Sequence, residues 1–305
     1  MSLLGVLNLL NIISSTQFKE PKDLDVIFSH TDMMMHPYKN IDPYYVLRGK
    51  VIGLLFLEKS TRTQSAFEIA AKKMGGLTYA LNQDSSSIGK GESLNDTCMI
   101  LSQYVDLLVL RHRDHEFITN LKLNIPIINA GSTEHPTQAI TDLYTIKKET
   151  GKIHGTKILL VGDLKYNRSI VSLLHFLKMY MHIRVYLLSP PELSLPKEYF
   201  YDNIIFVEET DIRKILPKVD VVYMTRPQKE LYPDGLYESI QNKYILDEKS
   251  LDLLSKDAII MHPLPRNEEI PVMIDSDKRA VYFKQAKYGL YTKMAILREI
   301  LHESN

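Results

Sequence analysis

The sequence predicts an α/β protein of two doubly wound domains, each a parallel β-sheet flanked by helices, with a C-terminal helix packing back on the first domain. Three observations carry this expectation. The chain has 305 residues, twice an ordinary domain, and its 45% hydrophobic content can fill two cores. Short apolar runs alternate with segments of helical periodicity, the pattern of βα units. Glycines stand where helices should stop, at Gly75-Gly76 and at Gly151.

In chain order, the first domain is read from strands at Val51–Leu57, Leu77–Leu81, Val105–Leu110 and Ile125–Asn129. Helices fall near Thr61–Met74, Leu94–Gln103 and Thr137–Glu149. The second domain follows with strands at Lys157–Val161, Ile183–Leu188, Ile204–Val207, Val219–Met224 and Ala258–Met261, and helices near Arg168–Tyr180 and Asp211–Leu216. Leu290, Met294, Leu297 and Leu301 recur at helical spacing and place a terminal helix from about Gln285. The expected division is residues 1–150, with the helix of about 286–305, and residues 151–285. The apolar run Leu3–Ile13 lacks a basic flank and a small-residue cleavage site, so a packed helix or strand is expected there rather than a targeting segment.

Composition excludes several function classes. The 37 basic and 37 acidic residues cancel, which argues against nucleic acid or a membrane surface as partner. Any preference for anions is therefore local. A single cysteine, Cys98, and the lack of zinc-type Cys/His spacing point to a reducing, cytoplasmic compartment and to no metal.

Polar groups gather at the carboxyl ends of the expected strands, where open α/β sheets bind ligands. Ser60-Thr61-Arg62-Thr63 follows the first strand and opens a helix, so hydroxyls, first-turn N–H groups and a guanidinium converge where the helix dipole favours an anion. The same residues would also serve as a plain helix cap with a solvated arginine. Arg111 ends another strand, and His135-Pro136-Thr137-Gln138 follows the next. The loop Ser85–Glu92 sets Ser87 and Lys90 among glycines without P-loop spacing, which suits a lid or an ordinary surface loop. In the second domain, Arg168 and Arg226 follow strands and suit a dicarboxylate, since the guanidinium fork binds planar carboxylates two bonds at a time. No G-x-G-x-x-G is present, so a dinucleotide cofactor is not expected.

Together, the stretches Phe56–Thr63, Asn129–Gly131 with His135–Gln138, Val161–Tyr166, Tyr223–Arg226 with Gln228–Glu230, and His262–Arg266 resemble the aspartate/ornithine carbamoyltransferase family from about Asn11 to near the C-terminus. The resemblance implies transfer of the carbamoyl group of carbamoyl phosphate to an amino acid without a cofactor. His262-Pro263-Leu264-Pro265 stands where ornithine enzymes would carry His-Cys-Leu-Pro, so aspartate is the expected acceptor, in an early step of pyrimidine synthesis. By the same resemblance, Ser60, Thr61, Arg62, Thr63 and Arg111 hold the phosphate. Thr61, Arg111 and His135 face the carbamoyl oxygen, while Gln138 and the carbonyls of Pro263 and Leu264 orient its amide. Arg168 takes the α-carboxylate of aspartate, Arg226 and Gln228 its side-chain carboxylate, and Ser87 and Lys90 enter from the neighbouring subunit of a homotrimer. An ornithine enzyme and a catalytically silent scaffold relative are the competing readings. Three positions depart from the family pattern. The Lys90 loop is one residue shorter than in some relatives, Leu231 stands where some relatives place an arginine, and Tyr288 stands before Gly289 where an asparagine is commoner.

Overall fold

The expected alternation is present in the computed structural model, which describes residues 11–36, 45–58, 60–82, 91–233, 235–240 and 244–302. The chain forms two units: Met1–Thr141 with Tyr288–Asn305, and Asp142–Lys287. In the first unit the order is α1 (Pro21–Met35), β1 (Val51–Phe56), α2 (Thr61–Lys73), β2 (Leu77–Asn82), α3 (Leu94–Leu101), β3 (Leu107–Arg111), α4 (His115–Asn120), β4 (Ile127–Asn129) and the start of α5 (Pro136–Thr150). All four strands are parallel, in the spatial order β2-β1-β3-β4. Leu55, Leu108, Leu110 and Ile127 pack with Cys98 and Leu101 of α3 and Ile118 of α4 in one core cluster.

The second unit continues with β5 (Lys157–Val161), α6 (Arg168–Leu177), β6 (Arg184–Leu188), β7 (Ile205–Glu208), α7 (Ile212–Ile215), β8 (Val221–Met224), α8 (Leu236–Ile240), α9 (Glu248–Leu253), β9 (Ile259–Met261) and the first turns of α10 (Tyr282–His302). Its sheet is also parallel, ordered β7-β6-β5-β8-β9. In each unit the first strand is followed by strands on one side, and the chain then crosses to the other. The crossing leaves a crevice at the carboxyl ends of β1 and β3 in one unit and of β5 and β8 in the other, the switch points of doubly wound sheets.

Local sequence explains where elements stop. Gly75 closes α2 with φ +79°, and the N–H of Gly76 reaches the Ala71 carbonyl at 2.9 Å, so both end a helix as their positions suggest. Several elements differ from expectation, among them α4, α8 and α9, which are too short to show a helical period. Helix α1 is absent from the periodicity reading, although Pro21 at its start, Asp23 back-bonding to the N–H of Glu20, and buried Leu24, Ile27, Phe28 and Met34 mark an amphipathic helix. Helix α10 begins at Tyr282, ahead of Gln285, because buried Tyr282 and Gln285 anchor its first turn. The Tyr288–His302 part of α10 packs within the first unit, where Thr292 bonds Thr141 at 2.8 Å and Arg298 bonds His30 of α1. At the other end Ile12 forms a parallel bridge with Ile128 of β4, while residues 3–10 of the apolar N-terminal run lie outside the described residues.

Candidate active site

At the first switch point, Ser60 is the N-cap of α2, and its side chain makes no capping bond to the helix. The first turn of α2 carries no acidic residue, its last carries Lys72 and Lys73, and Thr61 and Arg62 are exposed while Thr63 is buried. An arginine at a helix N-terminus opposes the local dipole, so Arg62 and the first-turn N–H groups together favour a bound anion.

Arg111, the last residue of β3, is paired opposite Phe56 of β1. Its guanidinium donates to the Ala130 carbonyl at 3.2 Å and lies 3.4 Å from the Glu58 carboxylate, which Arg113 also reaches at 2.6 Å. Gly131 decides what stands beside it. With φ +124°, a Cβ at this position would sit 2.7 Å from Arg111 Nη1 and 3.3 Å from His135 Cδ2. The missing side chain is the space in which Arg111 and buried His135 approach the same point. Asn129 fixes this turn by accepting from the Gly131 N–H at 2.9 Å and donating to Ser132 Oγ at 2.9 Å. Pro136 opens α5 directly after His135, and Gln138 lies in its first turn, its N–H on the His135 carbonyl at 3.1 Å. Thus Ser60–Thr63, Arg111, His135 and Gln138 cluster at the strand ends of one unit. Ser87 and Lys90 lie outside the described residues.

At the second switch point Gly162 ends β5 with φ +104°, and a Cβ there would fall 2.5 Å from the Thr225 carbonyl. Only glycine lets the ends of β5 and β8 close in this way. Asp163 is fully buried behind it, and burial pushes its carboxyl up, against the lowering effect of hydrogen bonds from Tyr166, Tyr232 and Gln228. Arg168 is half-buried in the first turn of α6, which Asn167 caps through its side chain to the N–H groups of Ser169 and Ile170. As with Arg62, a guanidinium sits at the positive end of a helix with no acidic residue in its first turn.

Arg226, after β8, holds Glu230 with both Nη atoms, at 2.5 and 3.2 Å, and opens onto a cleft of about 410 Å3 lined by Lys229, Tyr237, Pro265, Asn267 and Glu268. The Arg226–Glu230 pair is partly solvated, and such pairs stabilise weakly, so an incoming carboxylate competes on fair terms. Pro263 and Leu264 follow β9, and Leu264 holds φ +56°, a conformation L-residues seldom adopt. Buried His262 maintains it. Its Nδ1 accepts from the Leu264 N–H at 2.7 Å, which leaves the proton on Nε2 facing Glu269 at 2.9 Å. Burial works to raise the Glu269 carboxyl, but hydrogen bonds from His262 and Asn267 outweigh it and hold the group below the ordinary range. The His262 N–H donates to Gln285, which donates to Asp142 at 2.6 Å, and Tyr223 donates to the same carboxylate at 2.7 Å. Asp163, Glu269 and Asp142 were not singled out as site residues from the sequence. Asp142 takes its donors from Tyr223 and Gln285, far along the chain, and leaves no local spacing to read, whereas Glu269 is held by nearby His262 and Asn267.

Two family models cover nearly the whole chain. The carbamoyl-phosphate-binding domain of aspartate/ornithine carbamoyltransferases matches residues 11–148, and the Asp/Orn-binding domain matches residues 154–300. The chain belongs to the aspartate/ornithine carbamoyltransferase family. It is 41% identical over 310 residues to the aspartate carbamoyltransferase catalytic subunit of Methanobrevibacter smithii, covering 98% of this chain and 97% of that protein. Among solved structures it resembles the aspartate transcarbamoylase catalytic subunit of M. jannaschii, with TM-score 0.88, 38% identity, and 97% and 99% of the two chains covered. It also resembles the Trypanosoma cruzi aspartate transcarbamoylase solved with carbamoyl phosphate and aspartate, with TM-score 0.90, 34% identity, and 98% and 99% covered. The two arginine-bearing strand ends fall one in each matched domain. Among the described residues no cluster has metal-ligand character, and no helix is long and apolar enough to cross a membrane.

Proposed function

We propose that this chain transfers the carbamoyl group of carbamoyl phosphate to the amino group of L-aspartate, yielding N-carbamoyl-L-aspartate and phosphate, in the cytoplasm and at an early step of pyrimidine synthesis. The observation that carries the reading is the pair of arginine-bearing switch points. One has hydroxyls, a helix N-terminus and Arg111 suited to a phosphate, and the other has Arg168 and Arg226 suited to two carboxylates. An ornithine side chain would place a cation near Arg226, which like-charge repulsion disfavours. Incubation of the purified protein with carbamoyl phosphate and either aspartate or ornithine, with colorimetric detection of the ureido product, tests it. Carbamoyl aspartate is the expected product; citrulline alone, or neither product, refutes the proposal.

In this reading residues 1–150 with the last helix hold carbamoyl phosphate, and residues 151–285 hold aspartate. Ser60, Thr61, Arg62 and Thr63 bind the phosphate with Arg111. Attack by the aspartate amine moves charge onto the carbamoyl oxygen, where Thr61, Arg111 and His135 donate to it. Gln138 and the carbonyls of Pro263 and Leu264 align the amide. Preorganised donors of this kind are typically worth about 3 kcal/mol each, so no nucleophilic side chain is needed. The leaving phosphate accepts the amine proton.

Gly131→Ala puts this arrangement to a direct test. The new methyl strains a left-handed backbone, at about 1–3 kcal/mol, and occupies the space that Arg111 and His135 share. The expected outcome is a lower melting temperature together with at least a tenfold loss of kcat. A variant that melts lower but keeps its kcat would show that Arg111 and His135 do not need that space.

A homotrimer with shared sites fits the surface of the first unit. Edge strand β2 exposes Leu77 and Tyr79, and α3 and the residues after it expose Met99, Ile100 and Tyr104. Parallel sheets are normally covered, and a bare apolar edge invites association. A second copy is the occupant we infer, because β2 ends at Asn82, a few positions before Ser87 and Lys90 in the sequence.

A further inference from the structure

Tyr232 belongs to none of the motifs above, yet its hydroxyl joins two of them. It donates to Asp163 Oδ2 at 2.8 Å and accepts from the Gln228 backbone N–H at 2.9 Å. Asp163 is a firm anchor. It is fully buried at the end of β5 and also accepts from the Tyr166 N–H at 2.9 Å, and the Tyr166 ring lies 5.9 Å from that of Tyr232. Gln228 is held from its other side as well, since its carbonyl accepts from the Leu231 N–H at 2.8 Å. Its side-chain amide lies 3.5 Å from the same Asp163 oxygen, at the outer limit of a hydrogen bond. Thr225 already joins the start of the loop after β8 to the Val161 carbonyl of β5 at 2.8 Å, and the Tyr232 hydroxyl adds a second tie further along, at Gln228, to Asp163. Arg226 and its partner Glu230 lie on that loop, so the direction of the Arg226 fork depends on how firmly the loop is tied.

We propose that Tyr232 is a positioning residue for the dicarboxylate substrate, its hydroxyl tying the Arg226–Gln228 loop to Asp163 so that both side chains are set before aspartate arrives. The inference rests on the reading that Arg226 and Gln228 receive the aspartate side-chain carboxylate. A preset loop lowers the ordering cost of binding, so the hydroxyl acts on affinity for one substrate more than on the chemical step. Burial, with Asp163 adding, holds the Tyr232 hydroxyl well above its ordinary range, so it remains a donor throughout the working pH range.

The test is steady-state kinetics of Tyr232→Phe with each substrate varied in turn, alongside thermal melting. The expected result is a rise of about tenfold in KM for aspartate, equivalent to about 1.4 kcal/mol. The fall in kcat should stay below about threefold, and the KM for carbamoyl phosphate should shift less than about twofold. Tyr232→Leu removes the hydroxyl while keeping apolar bulk and should show the same split, which covers the case in which one variant folds poorly. An unchanged aspartate KM in either folded variant overturns the inference, and so do equal losses with both substrates that follow a lowered melting temperature. Wild-type protein that makes no carbamoyl aspartate overturns the underlying function instead, so the two failures are told apart by the wild-type control.

Discussion

Arg226→Ala raises the KM for aspartate by about 30-fold to several thousandfold while changing the KM for carbamoyl phosphate little, and Arg62→Ala does the reverse. The range follows from the roughly 2–5 kcal/mol lost when one partner of a desolvated charge pair is truncated. The selectivity follows from position. Arg226 follows β8 in the unit Asp142–Lys287, and Arg62 lies in the first turn of α2 in the other unit. In the free protein Arg226 already carries a carboxylate, Glu230, whose hydrogen bond raises the guanidinium further above its ordinary range. Glu230 itself is held below the usual carboxylate range, first by that bond, so the pair stays ionised at neutral pH. In the proposed reading, the aspartate carboxylate displaces Glu230 from a guanidinium already aimed at an oxygen pair. Initial rates with one substrate saturating and the other varied decide the matter. An aspartate dependence untouched by Arg226→Ala would remove this residue from the carboxylate site.

Mixing two inactive variants restores about one quarter of wild-type activity if the sites are shared around a ring of three. Arg62→Ala and Lys90→Ala are each expected to be nearly inactive alone. Denatured together in equal amounts and refolded, they give random trimers of which about three quarters contain both kinds of subunit. Around any mixed ring, one of the three sites pairs an intact Arg62 with an intact Lys90 from the adjacent subunit, so recovery approaches about one quarter. Sites formed within single chains cannot be rescued, because every chain carries one defect. Lys90 lies outside the described residues, but it stands eight positions after Asn82, the last residue of β2, the strand whose exposed Leu77 and Tyr79 suggest the contact. Refolded trimers that stay as inactive as their parents would assign Lys90 to its own chain or to no site.

Much of this is legible in the order of residues alone. Each β run announces itself by apolar continuity, and each proposed anion-binding group sits within a few positions of a strand end, so Ser60, Arg62, Arg111, Arg168 and Arg226 can be placed without coordinates. Gly75 and Gly151 mark helix ends because a left-handed residue is a local requirement. Helix α1 is equally local, but its polar face and Met-rich end dilute the apolar period that would mark it. Other features depend on folding at long range. The sheet order that carries β2 outside β1 makes β1 and β3 neighbours, and it alone brings the Ser60–Thr63 turn beside Arg111. Gly131 looks like an ordinary turn glycine until the guanidinium and the imidazole are seen to fill the place of its side chain. Tyr232 and Asp163 stand 69 residues apart, and Gln285 links the His262 backbone to Asp142. Periodicity and capping report forces that act within a few residues of the chain, whereas a buried carboxylate takes its donors from wherever the packed core delivers them.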